Sequence, residues 1–166
     1  MLYALFAAMA AALLALDQWF KLWVVERIPL GEAQPFLPGV MQLRTVHNYG
    51  AAWSSFSGMR WLLLSVTSLI VLAVVLALAK RIVRHPLGLL AGHLIIAGGL
   101  GNIIDRLRLG YVVDMFDLTF MDYPVFNIAD ICIVCGCILG GVNYLWFYEK
   151  YDKRKKGDGN AASDDN

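Results

Sequence analysis

An all-α membrane protein, built as a four-transmembrane-helix bundle, is the fold class this sequence predicts. Three observations predict it: a high share of apolar residues, four long apolar runs, and basic residues gathered between and after those runs. Hydrophobic residues make up 59% of the 166 and charged residues 16%, against roughly 45–50% and about 25% in soluble domains. One core of this length cannot hide that much apolar surface, so lipid has to cover the remainder. The net charge of +1 offers no electrostatic footprint for a nucleic-acid partner.

The four runs are Leu2–Val25, Trp61–Ala79, Leu87–Ile104 and Val125–Phe147. About 20 residues rising 1.5 Å each cross a hydrocarbon core of about 30 Å. Helices are expected because lipid offers backbone amides no partner outside their own segment. The first run lacks a basic leader and continues past Lys21 through Leu22, Trp23, Val24 and Val25, so it reads as a retained span and not as a cleaved signal peptide. Residues 1–156 form one integral membrane domain in this reading, and 157–166 a polar, disordered cytoplasmic tail.

Orientation follows from the basic residues. Lys80, Arg81 and Arg84 lie between the second and third runs, and Lys150, Lys153, Arg154, Lys155 and Lys156 follow the fourth. The positive-inside rule puts both clusters, and with them both termini, in the cytoplasm. The longer connections, 26–60 and 105–124, then face outward. In the first of them Gln42–Val46 alternates in the strand period after a stretch punctuated by Pro29, Gly31, Pro35, Pro38 and Gly39. A small sheet on the outer surface is expected there, with Trp53, Phe56 and Trp61 at the interface.

Ionisable residues inside apolar spans are costly and are therefore functional candidates. Asp17 and Lys21 are spaced as a helical ion pair, acid first, and read as mutually neutralising. His93 reads as an interhelical hydrogen-bonding group. Asn102, Asp105 and Arg106 share one helical face beyond Gly98, Gly99 and Gly101, which permit close helix approach. Asn127 and Asp130 are again three apart. Asp130 falls about 8 Å into the fourth run, with no basic residue within a turn. A carboxylate so placed is expected to take up or share a proton. Asp114, Asp117 and Asp122 lie upstream on the same side, and spacing does not choose among them.

Two carboxylates sharing a proton suit hydrolysis. The ionised one takes a proton from attacking water, and the protonated one assists the leaving group. No metal is expected, since His47, His85 and His93 are not at ligand spacing with one another or with these acids. Cys132, Cys135 and Cys137 read as small packing residues of one span and not as a redox or metal site. A proton- or cation-coupled transport subunit is the competing reading. It would place acids near the midplane and show inverted repeats, whereas these acids cluster at one end and no repeat is visible. A lipid-head-group transferase would need metal-binding acids facing the cytoplasm, against the predicted orientation.

Five stretches carry a resemblance: Asp17–Lys21 (DQWFK), Thr45–Ser54 (TVHNYGAAWS), Gly98–Arg106 (GGLGNIIDR), Gly110–Asp114 (GYVVD) and Phe126–Asp130 (FNIAD). In this order they resemble the lipoprotein signal peptidases, the type II signal peptidases of bacteria, over nearly the whole chain. The resemblance implies an aspartyl endopeptidase of the bacterial cytoplasmic membrane, acting at its outer side without a cofactor. Its implied substrates are diacylglyceryl-modified prolipoproteins cut just before the lipidated cysteine. It also implies Asp114 and Asp130 as the catalytic pair, with Asn48, Gly50, Asn102, Asp105, Arg106, Asn127, Asp17 and Lys21 supporting the site or contacting substrate. The implied fold adds an outer β-cradle and a short outer amphipathic helix, for which 112–120 is the candidate stretch. The link between the two aspartates, Met115–Ala129, is short for the family. A monomer in contact with membrane lipid is expected.

Overall fold

The computed structural model describes residues 1–51 and 55–149. Trp53, the basic cluster at 150–156 and the tail at 157–166 lie outside the described residues. Among the described residues four helices are long and apolar enough to cross a membrane: α1 Leu2–Arg27, α2 Arg60–Ala79, α3 Pro86–Arg108 and α4 Ile128–Trp146. Three strands, β1 Ala33–Leu37, β2 Met41–Asn48 and β3 Val112–Leu118, form one antiparallel sheet in the order β1-β2-β3.

Helix α3 is the hub of the bundle. Within its span 56% of residues are buried inside the protein, against 6%, 17% and 22% for α1, α2 and α4; it packs on all three. Its glycines make this possible. A Cβ at Gly98 would collide with the carbonyl oxygen of Ala129 and lie 2.7 Å from Ile133 Cγ1, and one at Gly101 would lie 2.8 Å from Asp17 Oδ2. On α4, a Cβ at Gly136 would reach 2.9 Å from the Ala91 carbonyl oxygen. Small residues thus bring helix backbones together where lipid supplies no hydrophobic drive between them. Gly98→Ala should force α3 and α4 apart and destabilise the protein by about 1–3 kcal/mol. A thermal-unfolding midpoint equal to the parent's would contradict that packing.

The helix ends follow local chemistry. Pro86 opens α3 with a preset φ, and the His85 side chain accepts from Leu87 N at 3.3 Å. Helix α2 ends in a Schellman turn: Ile82 N donates to Ala77 O at 2.9 Å and Arg81 N to Leu78 O at 3.0 Å. Arg81 holds the left-handed position at φ 52, where glycine is usual and a side chain costs about 1–2 kcal/mol.

The sheet seats on the end of α1. Val24 and Ile28 pack against Leu43, Met115 and Phe116, with Phe20, Trp23, Met41, Phe126 and Ile128 around them. The small sheet expected around Gln42–Val46 is therefore present, but it has a third strand where a helix was expected. Residues 112–118 are strand β3, and among the described residues no short outer helix occurs at 112–120. The physical reason is burial on both faces. Val112, Val113, Met115 and Phe116 are all buried, and β3 pairs with β2 on one side while Phe126 bridges to Phe116 on the other. Long-range pairing of this kind leaves no mark in local periodicity.

Candidate active site

Asp114 and Asp130 come together from different elements. Asp114 sits on β3 opposite Val46. Its diagonal neighbour on the same face of the sheet is Asn48, whose Nδ2 donates to Asp114 Oδ2 at 2.9 Å. Asp117, three residues along, projects to the other face. It accepts from Gln42 Nε2 at 2.7 Å and pairs with Arg44 at 3.5 Å. Asp122 is exposed in the connection to α4. Of the three upstream acids, it is Asp114 that lines one open cleft of ≈ 370 Å³ with Asp130, together with Asn48, Asn102, Arg106 and Phe126.

Asp130 is in the first turn of α4, because that helix begins at Ile128 and not at Val125. Asn127 therefore does not share a helical face with it but caps the helix. Asn127 Oδ1 accepts from Asp130 N at 2.9 Å, and Asp130 Oδ2 accepts from Asn127 N at 3.2 Å. This reciprocal capping box was legible in Asn127-Ile128-Ala129-Asp130, an N-cap residue followed three later by an acid. The same Asn127 reaches across to Asp114, its Nδ2 donating to Oδ1 at 2.6 Å. Asn102 Nδ2 donates to Asp130 Oδ1 at 2.8 Å. Each aspartate is thus held by neutral amide donors, and Asn127 touches both.

Beneath this pair lies a second, charged cluster. Lys21 Nζ is 2.8 Å from Asp17 Oδ2 and 2.9 Å from Asp105 Oδ2, and 3.4 Å from Asn102 Oδ1. All three charged residues are buried. Lys21 is therefore shared and not confined to Asp17, as helix spacing alone suggested. Asp17 Oδ1 accepts from Ala129 N at 2.9 Å, tying α1 to the first turn of α4. Asp105 Oδ2 accepts from Val113 N at 3.1 Å, tying α3 to β3. Each of the two acids so fixes the backbone next to one of the cleft aspartates.

Gln18 was not singled out by sequence reasoning. Its Nε2 lies 3.0 Å from Asp105 Oδ1, 3.2 Å from Asp17 Oδ2 and 3.3 Å from Gly101 O. A polar amide inside an apolar span beside Asp17 was the available signal. Arg106 Nη2 donates to Gly50 O at 2.9 Å, and Gly50 N donates to Asn48 Oδ1 at 2.9 Å. Arg106 and Gly50 thereby brace Asn48 behind Asp114.

Burial, first, and the neighbouring Asp130 charge push the Asp114 carboxyl up to about 7; the Asn48 and Asn127 donors pull the other way and are outweighed. His47, held below its ordinary value by burial, stacks on Tyr111 at 3.8 Å between ring centroids and stands outside this network. His93 lies apart too. Its Nδ1 is 2.7 Å from Leu89 O of its own helix, and its ring contacts Tyr3 and Phe6 of α1, so its hydrogen bond is intrahelical and not interhelical. Cys132 is buried, and Cys135 and Cys137 are exposed, all three as free thiols. Among the described residues no group of three His, Cys, Asp or Glu side chains is arranged to hold a metal ion.

The sequence and the fold have well-defined relatives. The family model described as "Signal peptidase (SPase) II" matches residues 9–146. A lipoprotein signal peptidase of Streptococcus pyogenes serotype M2 is 44% identical over 147 residues, covering 89% of this chain and 96% of that one. One from Lactococcus lactis subsp. cremoris is 48% identical over 124 residues, covering 74% and 81%. Among solved structures, a bacterial membrane enzyme determined by the in meso method at 1.9 Å superposes with a TM-score of 0.77 at 31% identity, over 87% of this chain and 93% of that one. A second, at 2.3 Å, gives 0.76 at 29% identity over 93% of each chain. The chain therefore belongs to the signal peptidase II family, as a multi-pass bacterial membrane peptidase.

Proposed function

We propose that this protein is an aspartyl endopeptidase that removes signal peptides from diacylglyceryl-modified prolipoproteins, cutting just before the lipidated cysteine, with Asp114 and Asp130 as its catalytic pair. The observation that carries this reading is the convergence of two carboxylates from β3 and α4 in one cleft, bridged by Asn127. Asp114, nearly fully buried, holds the shared proton. Asp130 sits in the first turn of α4, where the helix terminus favours negative charge. Water bound between them loses a proton to Asp130 as its oxygen attacks the scissile carbonyl. Asp114 hydrogen-bonds the carbonyl oxygen and later supplies the proton on which the amine leaves. Asn48, Asn102 and Asn127 orient the two carboxylates without adding charge. Asp17, Lys21 and Asp105 fix the backbone behind them, and Arg106 with Gly50 braces Asn48. The chemistry uses no cofactor.

Purified protein incubated with a diacylglyceryl-modified prolipoprotein should release a product whose mass begins at the modified cysteine. Uncut substrate, or equal cutting of the unmodified precursor, would overturn the substrate assignment.

The pH dependence follows from the Asp114 proton. With its carboxyl raised to about 7, the acid form is present below that value and is lost as pH rises through it. Activity (kcat/KM) should therefore fall on an alkaline limb centred at about 7, and fall again at low pH when the pair is doubly protonated. A rate that stays flat from about pH 6 to about pH 9, a span that brackets that limb, would contradict Asp114 as the acid.

The active site faces the outer side of the membrane in this reading, with both termini cytoplasmic and the chain acting as a monomer among lipids. The sheet and the two aspartates lie at one end of the bundle, and the basic 80–85 turn lies at the other, which the positive-inside rule assigns to the cytoplasm. Single cysteines at Glu32 and Asp122 should react with an impermeant reagent applied from outside, and one at Lys155 should not. The reverse labelling pattern would invert the topology.

A further inference from the structure

At the end of the bundle away from the aspartates, a groove of ≈ 270 Å³ opens between α2, α3 and α4. Its walls include Ala77, Ile82, Val83, Gly92, Asn143 and Tyr144. The walls are almost wholly apolar, with the buried Asn143 side chain as a polar point about one turn from the end of α4. The groove lies among membrane-spanning helices, so the molecules that reach it are lipids. The turn that supplies Ile82 and Val83 to its wall is basic: Lys80 and Arg81 precede them and Arg84 follows, and all three are exposed. Among the described residues neither Lys80 nor Arg81 forms an ion pair.

The backbone adds an independent observation. Arg81 occupies the left-handed residue of the Schellman turn that ends α2, at φ 52. Glycine fits that position without strain. A guanidinium held there at a conformational cost points to a use for its charge. Arg84 Nε donates to the Arg81 backbone carbonyl at 3.2 Å, which ties the Arg84 side chain to the same tight turn.

We propose that this groove is a binding site for an anionic glycerophospholipid, one acyl chain lying against Ala77 and Gly92 and the phosphate headgroup meeting Lys80 and Arg81. Basic pockets between helices at the membrane surface recognise anionic headgroups, and each Lys or Arg there is worth roughly fivefold in affinity. The site is separate from the peptidase cleft and does not depend on the assignment of the catalytic pair.

The test is native mass spectrometry of the full-length protein in detergent, with phosphatidylglycerol or phosphatidylcholine added at matched concentration. The parent should retain phosphatidylglycerol at least roughly fivefold better than phosphatidylcholine. Arg81→Gly relieves the backbone strain, so its thermal midpoint should equal or exceed the parent's while the preference falls roughly fivefold. Ala77→Phe, which fills the groove from α2, should lower retention of both lipids. Free glycerol phosphate should not displace the bound lipid. Equal retention of the two lipids by the parent, or a preference unchanged in Arg81→Gly, would overturn the headgroup assignment. Undiminished retention in Ala77→Phe, or displacement by glycerol phosphate, would overturn the groove as the site of the chain.

Discussion

Asp114→Asn and Asp130→Asn should each lower kcat/KM for prolipoprotein cleavage by at least about 10³-fold, within the range lost when a positioned acid or base is removed. Expression and membrane insertion should stay near the parent level. The amide keeps the size of the carboxylate and loses its ability to exchange a proton. Asn127 also caps α4 through contacts that do not need Asp114 to be charged. Asp117→Asn and Asp122→Asn are the internal controls. Asp117 is engaged by Gln42 and Arg44 on the other face of the sheet, and Asp122 is exposed, so both variants should cleave near the parent rate. If Asp117→Asn were as inactive as Asp114→Asn, the pairing of Asp114 with Asp130 would lose its support.

Lys21→Met should have the largest effect on stability. Lys21 is buried between Asp17 and Asp105, at 2.8 and 2.9 Å. Removing the cation leaves two buried carboxylates facing one another, a change that costs about 3–5 kcal/mol where one partner of a buried pair is lost. The damage should spread to the site. Asp17 holds the Ala129 amide and Asp105 the Val113 amide, each next in sequence to a cleft aspartate. The thermal midpoint of the purified variant and its cleavage rate should therefore fall together. A Lys21→Met protein as stable as the parent would show that the cluster is not held by this ion.

The four spans were legible because lipid imposes length and apolarity on each segment by itself. The helix ends were less so. Asp130 is in the first turn of α4 and not about 8 Å in, because hydropathy marks where lipid ends and capping marks where the helix ends. The strand at 112–118 was missed for a different reason. Its partners are in Met41–Asn48, about 70 residues earlier, and Val112-Val113-Asp114-Met115-Phe116 is buried on both faces, so it shows no strand alternation. That same pairing puts Asn48 beside Asp114 and Asp117 beside Gln42, which is why spacing could not choose among the three acids while the sheet register separates them. The polar face shared by Asn102, Asp105 and Arg106 was legible, but the bond of Asn102 to Asp130 depends on how α3 and α4 pack at Gly98, information carried by tertiary contact.

Metal-free hydrolysis by the proposed Asp114–Asp130 pair can be read from the cleavage rate of the purified protein after exhaustive chelation. The rate on diacylglyceryl-modified prolipoprotein should be unchanged, with both Asp→Asn variants inactive in the same assay. Activity lost on chelation and restored by a divalent cation would contradict it.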